Sequence, residues 1–96
     1  MAKVKGRRRP TWLDVLFQTL RAQLRAVGIG EVDLLDEPIN GTKLHRVTVV
    51  APKFAALRPS ERQDLVWRIA EQVLNKDQQL QLSMILTLTP KEISAD

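Results

Sequence analysis

Leu13, Leu16, Phe17, Leu20, Leu24 and Val27 recur at steps of three and four residues, which lays one apolar stripe along a helix. Arg21, Gln23 and Arg25 fall on its flanks and back. Thr11 and Asp14 have the spacing of a capping box, and Gly28 suits the left-handed residue that closes a helix, so the pattern predicts helix one over residues 12–27. Val32, Leu34 and Leu35 mark a short strand over 31–36. Pro38 and then Asn40-Gly41 favour a reversal into a second strand over 43–51, where Val47, Thr48, Val49 and Val50 are all β-branched. Pro52 and Pro59 bracket a connector containing Phe54. Ser60 with Gln63 repeats the capping-box spacing, and Leu65, Val66, Ile69, Ala70, Val73 and Leu74 give the helix that follows one buried face. From Leu80 the pattern switches to period two. Leu80, Leu82, Met84, Leu86 and Leu88 alternate with Gln81, Ser83, Ile85, Thr87 and Thr89, which predicts a last strand with one covered face and one wetter face bearing Gln81, Ser83, Ile85 and Thr87.

The element order is therefore helix, strand, strand, helix, strand. A hairpin makes the first two strands antiparallel, and the helix between strands two and three permits the right-handed crossover that makes those two parallel. A three-stranded mixed sheet with both helices on one face buries every stripe, so the expected fold class is α+β in a single small domain. Ninety-six residues leave no room for a second core.

Charge changes this picture only at one end. The formal net charge is +4, but Lys3, Lys5, Arg7, Arg8 and Arg9 supply five of the fifteen basic residues. From Pro10 onward ten Lys and Arg stand against eleven Asp and Glu. Residues 1–10 are expected to be a self-repelling disordered arm, residues 11–92 the domain, and residues 93–96 a short tail. The arm lacks the apolar run of a secretory signal and no later stretch is long enough to span a bilayer, so no membrane association is expected. Cysteine is absent, which removes a disulfide framework, a thiolate metal site and a thiol nucleophile. The expected compartment is the cytoplasm or an organellar interior. One histidine, His45, and scattered serines at 60, 83 and 94 make no set of nucleophile, base and orienting group, so no enzyme is expected.

The landmarks of the second half have a recognisable spacing. Val47 and Val49 lead to Phe54, Arg62 follows eight residues later, Val66-Trp67 lies within the second helix, and the last strand closes in Thr87-Leu88-Thr89-Pro90-Lys91-Glu92. In these residues the chain resembles the BolA family, whose fold is similar to the type II KH module. The resemblance spans about residues 11–92, with specific landmarks only in its second half. It implies a non-catalytic adaptor or regulator that binds a protein partner, a monothiol glutaredoxin or other iron-sulfur machinery, with Phe54, Arg62, Trp67 and Gln81 as candidate partner-binding residues. It also implies a two-iron two-sulfur cluster shared with the glutaredoxin and held by two ligands from the BolA-like protein.

Several residues depart from that pattern. Ala56 stands where the resemblance would place glycine, Arg62-Gln63-Asp64 replaces a basic run, and Gln81 falls where a cluster-binding histidine would stand. A glutamine amide is too poor a donor to iron to replace imidazole or thiolate. His45 remains as a weak candidate ligand, about one position from a second histidine of the family, and a lone histidine cannot hold a cluster. The alternative function is a small KH-like nucleic-acid-binding protein of transcriptional-regulator type, with Lys3, Lys5, Arg7, Arg8, Arg9, Lys53, Arg58 and Arg62 as candidate phosphate contacts. Against it, residues 52–58 contain no glycine and so lack the Gly-x-x-Gly clamp of KH modules. A third option is a homo-oligomer joined through the open sheet face or an edge strand.

Overall fold

The computed structural model describes residues 9–94. Lys3, Lys5, Arg7 and Arg8 of the basic arm lie outside the described residues. The element order is α1 (Thr11–Ala26), β1 (Asp33–Pro38), β2 (His45–Val50), a 3-10 helix (Pro52–Ala56), α2 (Pro59–Val73), α3 (Lys76–Gln81), β3 (Leu82–Leu88) and α4 (Pro90–Ile93). The sheet runs β1-β2-β3, with β1 antiparallel and β3 parallel to the central strand. This is the α+β arrangement that the hydrophobic pattern predicts.

The apolar stripe of α1, Leu13, Leu16, Phe17, Leu20 and Leu24, is buried against Val66, Ile69 and Ala70 of α2 and against Val47, Val49 and Ile85 of the sheet. Gly28 ends α1 at φ 91° and Gly41 turns the hairpin at φ 79°, both in the region an L side chain disfavours. Truncation of a fully buried member of this core, such as Leu16→Ala, removes both transfer free energy and packing contacts at a typical loss of about 2–5 kcal/mol.

The helix starts differ from the expected caps. Pro10 is the N-cap of α1 and Thr11 is already helical, so no hydroxyl caps that end; Asp14 instead meets the guanidinium of Arg9 at 3.2 Å. Pro59 likewise occupies the first turn of α2 behind Arg58, whose backbone N–H donates to Glu61 Oε1 at 2.8 Å. Pro59, with φ already set for a helix and no N–H to satisfy, starts α2 ahead of Ser60, and the extended Pro10 serves as N-cap ahead of Thr11, so each predicted hydroxyl cap lies one or two positions inside its helix. Ser60 and Gln63 consequently form no box, and Gln63 is free to act across the sheet.

The largest correction is at the last strand. Residues 76–81, including Leu80 and Gln81, are helical, started by a reciprocal pair of bonds between Asn75 and Gln78. Leu80 is 75% exposed on that helix. The strand begins at Leu82, and a bulge follows at once: His45 pairs with Leu82, but Arg46 pairs with Met84, leaving Ser83 unmatched. One inserted residue inverts the alternation. Leu82 faces the core, but beyond the bulge Ile85 and Thr87 face it, while Met84, Leu86 and Leu88 stand on the uncovered side. The predicted assignment of faces, with Ile85 and Thr87 outward, is therefore reversed.

Arg62 ties the connector, helix and final strand together. Its Nε donates to the carbonyls of Phe54 at 2.9 Å and Leu57 at 3.1 Å, and its Nη1 donates to the Thr87 carbonyl at 3.2 Å and to Glu92 Oε1 at 2.8 Å. The guanidinium also lies 5.8 Å from the centroid of the buried Phe54 ring. Replacing Arg62 by Ala leaves three carbonyls without these donors and is expected to cost on the order of 3 kcal/mol in urea unfolding. Arg62, through its hydrogen bond first and the Thr89 backbone next, holds the Glu92 carboxyl below its ordinary value of 4.5. A depressed carboxylate contributes stability above its unfolded-state value and loses it as pH falls through the folded-state value. The urea midpoints of the wild type and Glu92→Gln should therefore differ at neutral pH and converge once pH drops well below 4.5.

Candidate functional site

The sheet end at which β2 and β3 begin brings together the two residues that bear on metal binding. His45 opens β2 and pairs with Leu82, so Gln81, the half-buried last residue of α3, is its near neighbour across the strands. His45 is buried, and its Nδ1 lies 2.8 Å from Asp36 Oδ1 on β1. A carboxylate accepts, so Nδ1 carries the proton and Nε2 is the one ring nitrogen left. The imidazole and the indole of Trp12 on α1 form a T-shaped pair at a centroid distance of 5.7 Å and an interplanar angle of 87°. The imidazole is thus fixed by α1, β1 and β2 together. Ser83, the bulge residue, donates from its hydroxyl to the His45 carbonyl at 3.1 Å.

This donor set does not fit a two-iron cluster in the manner the resemblance implies. No thiolate exists in the sequence, one imidazole nitrogen is already engaged with Asp36, and Gln81 offers only an amide. Among the described residues no three His, Asp or Glu side chains converge into a metal-binding group.

The other candidates divide by burial. Phe54 and Arg62 are internal: Phe54 is fully enclosed, and the guanidinium of Arg62 is directed at the connector, Thr87 and Glu92. Arg62 is thereby corrected from a phosphate or partner contact to a structural clamp, because its bonded donors and its burial leave the group little access to a ligand. Trp67 is half-buried, and its indole N–H donates to Gln63 Oε1 at 3.1 Å. Gln63 in turn donates from Nε2 to the Ile85 carbonyl at 2.7 Å and to Thr87 Oγ1 at 3.2 Å. Lys53 and Arg58 are exposed at the two ends of the connector. Arg9 pairs with Asp14 and lies 5.2 Å over the ring of Phe17, so the one member of the basic arm that is described lies on α1.

Two features escaped the sequence. A groove of about 580 Å3 opens between the C-terminal half of α1, the start of β1 and the 3-10 helix, where Arg21, Arg25 and Lys53 stand opposite Glu31 and Asp33. Those residues are spread over more than thirty positions of the chain, and only the tertiary fold gathers them. The second is the outer face of the sheet, hidden by the bulge at Ser83.

Neither a protein-family model nor a curated protein matches the chain. Among solved structures, BolA1 from Arabidopsis thaliana superposes with a TM-score of 0.59 at 18% identity, covering 88% of this chain and 98% of that one. The chain has a BolA-like fold. The superposition extends over nearly the whole of BolA1, so the BolA-like unit includes α1 and β1, where the sequence carries no specific landmark. No helix of the described residues is long and apolar enough to cross a membrane.

The His45–Asp36 contact sets a measurable expectation. Replacing His45 by Ala leaves the largely buried Asp36 carboxylate without its partner and is expected to destabilise the fold by about 1–3 kcal/mol in urea unfolding. Loss of the imidazole against its indole should also alter the fluorescence of Trp12, which a Trp67→Phe background isolates.

Proposed function

We propose that this chain is a non-catalytic adaptor of the BolA type that acts by docking onto a protein partner, a monothiol glutaredoxin or other iron-sulfur machinery. In this reading it recognises the partner by surface contact and does not bring two ligands to a shared cluster. The observation that carries the proposal is the BolA-like fold over 88% of the chain, combined with a sheet end where the sole imidazole is tied to Asp36 and its neighbour is Gln81. The absence of cysteine from the sequence supports the same division of labour, because any thiolate in a shared cluster would have to come from the partner. Phe54 and Arg62 then shape the docking surface from within, and Trp67 with the exposed side of α2 meets the partner directly.

A cluster-loaded monothiol glutaredoxin titrated with the full chain tests this. The expected result is a saturable complex whose visible cluster absorption is the same as that of the glutaredoxin alone, for the wild type and for His45→Ala. Lack of any complex removes the adaptor reading. A change in the visible spectrum that disappears in His45→Ala would show that the chain ligates iron after all.

A further inference from the structure

The sheet has two edges, and side chains of the chain itself close only one of them. On β3 the Ile85 and Thr87 carbonyls accept from Gln63 and Arg62. On β1 the Ile39 N–H donates to the Leu44 carbonyl at 3.0 Å, which puts the main-chain groups of the odd-numbered residues 33–39 on the β2 side. By alternation the N–H and C=O of Leu34 and Asp36, and the C=O of Pro38, point away from the sheet, and among the described residues nothing bonds to them. The side chains along this free edge alternate as well. Leu34 and Asp36 turn to the core side, where Asp36 meets His45, while Asp33, Leu35 and Glu37 are exposed on the outer face, Leu35 at 51%. Asp33 makes no ion pair among the described residues; Arg21 and Arg25 share its groove but belong to α1, on the other face of the sheet. Glu37 is bonded to Arg46 of β2.

We propose that this edge accepts an extended basic segment of a partner protein, added as a further strand antiparallel to β1. The unfilled donors and acceptors call for a backbone in extended form, because a strand presents the complementary row at the same spacing. Charge selects which strand. A second copy pairing antiparallel through its own β1, Leu35 against Leu35, sets Asp33 opposite Glu37 at both ends, and like charges directly opposite are destabilising. The favourable partner has Lys or Arg opposite Asp33 and Glu37, with an apolar residue between them opposite Leu35. Pro38, which lacks an N–H, ends the pairing at one side, so the complex is short and weak. The site lies across the sheet from β3 and the α2 surface proposed for the glutaredoxin, so that titration and the one below succeed or fail separately.

The probe is the capped peptide Thr-Lys-Val-Leu-Thr-Lys-Thr, titrated into the full chain and followed by amide NMR. Saturable binding is expected with a Kd on the order of 100 μM and the largest shifts at the Leu34 and Asp36 amides. N-methylation of the Val and Thr that flank the leucine, whose N–H groups face β1, should abolish binding. N-methylation of the leucine, whose N–H points away, should leave it unchanged. Asp33→Lys should weaken the peptide roughly fivefold, and a peptide with Glu at the position opposite residue 33 should recover the loss. Asp64→Lys, the same charge change on the exposed side of α2, should have no effect. Equal urea midpoints of wild type and Asp33→Lys separate lost binding from lost folding. No binding, undiminished binding after N-methylation of the flanking residues, or indifference to Asp33→Lys overturns the proposal. So does a peptide that binds only after Lys3→Ser, Lys5→Ser, Arg7→Ser and Arg8→Ser in the full chain, which would make the chain's own basic arm the occupant. Sedimentation that finds a wild-type dimer dispersed by the peptide would overturn it in favour of a second copy.

Discussion

The guanidinium of Arg62 is the constraint on which the second half of the fold depends. It is buried, and through four hydrogen bonds it holds the 3-10 connector, the C-terminal end of β3 and α4 against the first turn of α2. A buried charge is tolerated only where its donors find acceptors, and here the acceptors are three backbone carbonyls and one carboxylate. That carboxylate, Glu92, also accepts from the Thr89 N–H, while the Glu92 N–H donates to the Thr89 hydroxyl. Pro90 fits the first turn of the short helix thus capped. Phe54, Arg62, Thr89, Pro90 and Glu92, far apart in the chain, are one physical unit.

That unit explains why the specific landmarks of the sequence lie in its second half. Its residues must meet in space at fixed geometry, so their types and spacing are constrained together, and they carry the resemblance to BolA. The α1 stripe and the β1 hairpin obey only the looser demand of being apolar on one side. Helix positions followed from that demand, as Leu13, Leu16, Phe17, Leu20 and Leu24 all reach the core. Strand limits on the hairpin are displaced by two residues, with β1 at Asp33–Pro38, because short polar-flanked strands have no sharp ends in sequence.

The misreadings have one source each. Residues 76–81 hold a single capping signal, Asn75 with Gln78, and alternating Gln79-Leu80-Gln81 imitates a strand. The helix they form is too short to show a stripe. Ser83 then breaks the period, and a period-two argument has no means of registering an inserted residue. On the candidate site, burial was the unreadable quantity. Arginine and glutamine near a helix start look like surface residues in one dimension, yet Arg62 and Gln63 both reach β3, and the lone imidazole of His45 sits between Asp36 and Trp12.

The bond from Gln63 to the Ile85 carbonyl and that from Arg62 to the Thr87 carbonyl have a further consequence. The Leu88 carbonyl accepts from the Ala51 N–H on the central-strand side, so by alternation those of Ile85 and Thr87 point away from the sheet. They are the acceptors an incoming strand would need. Side chains of the chain's own helix thus act as a selvedge, finishing the hem of the sheet so that its most leucine-rich strand is poorly suited to templating a growing fibril.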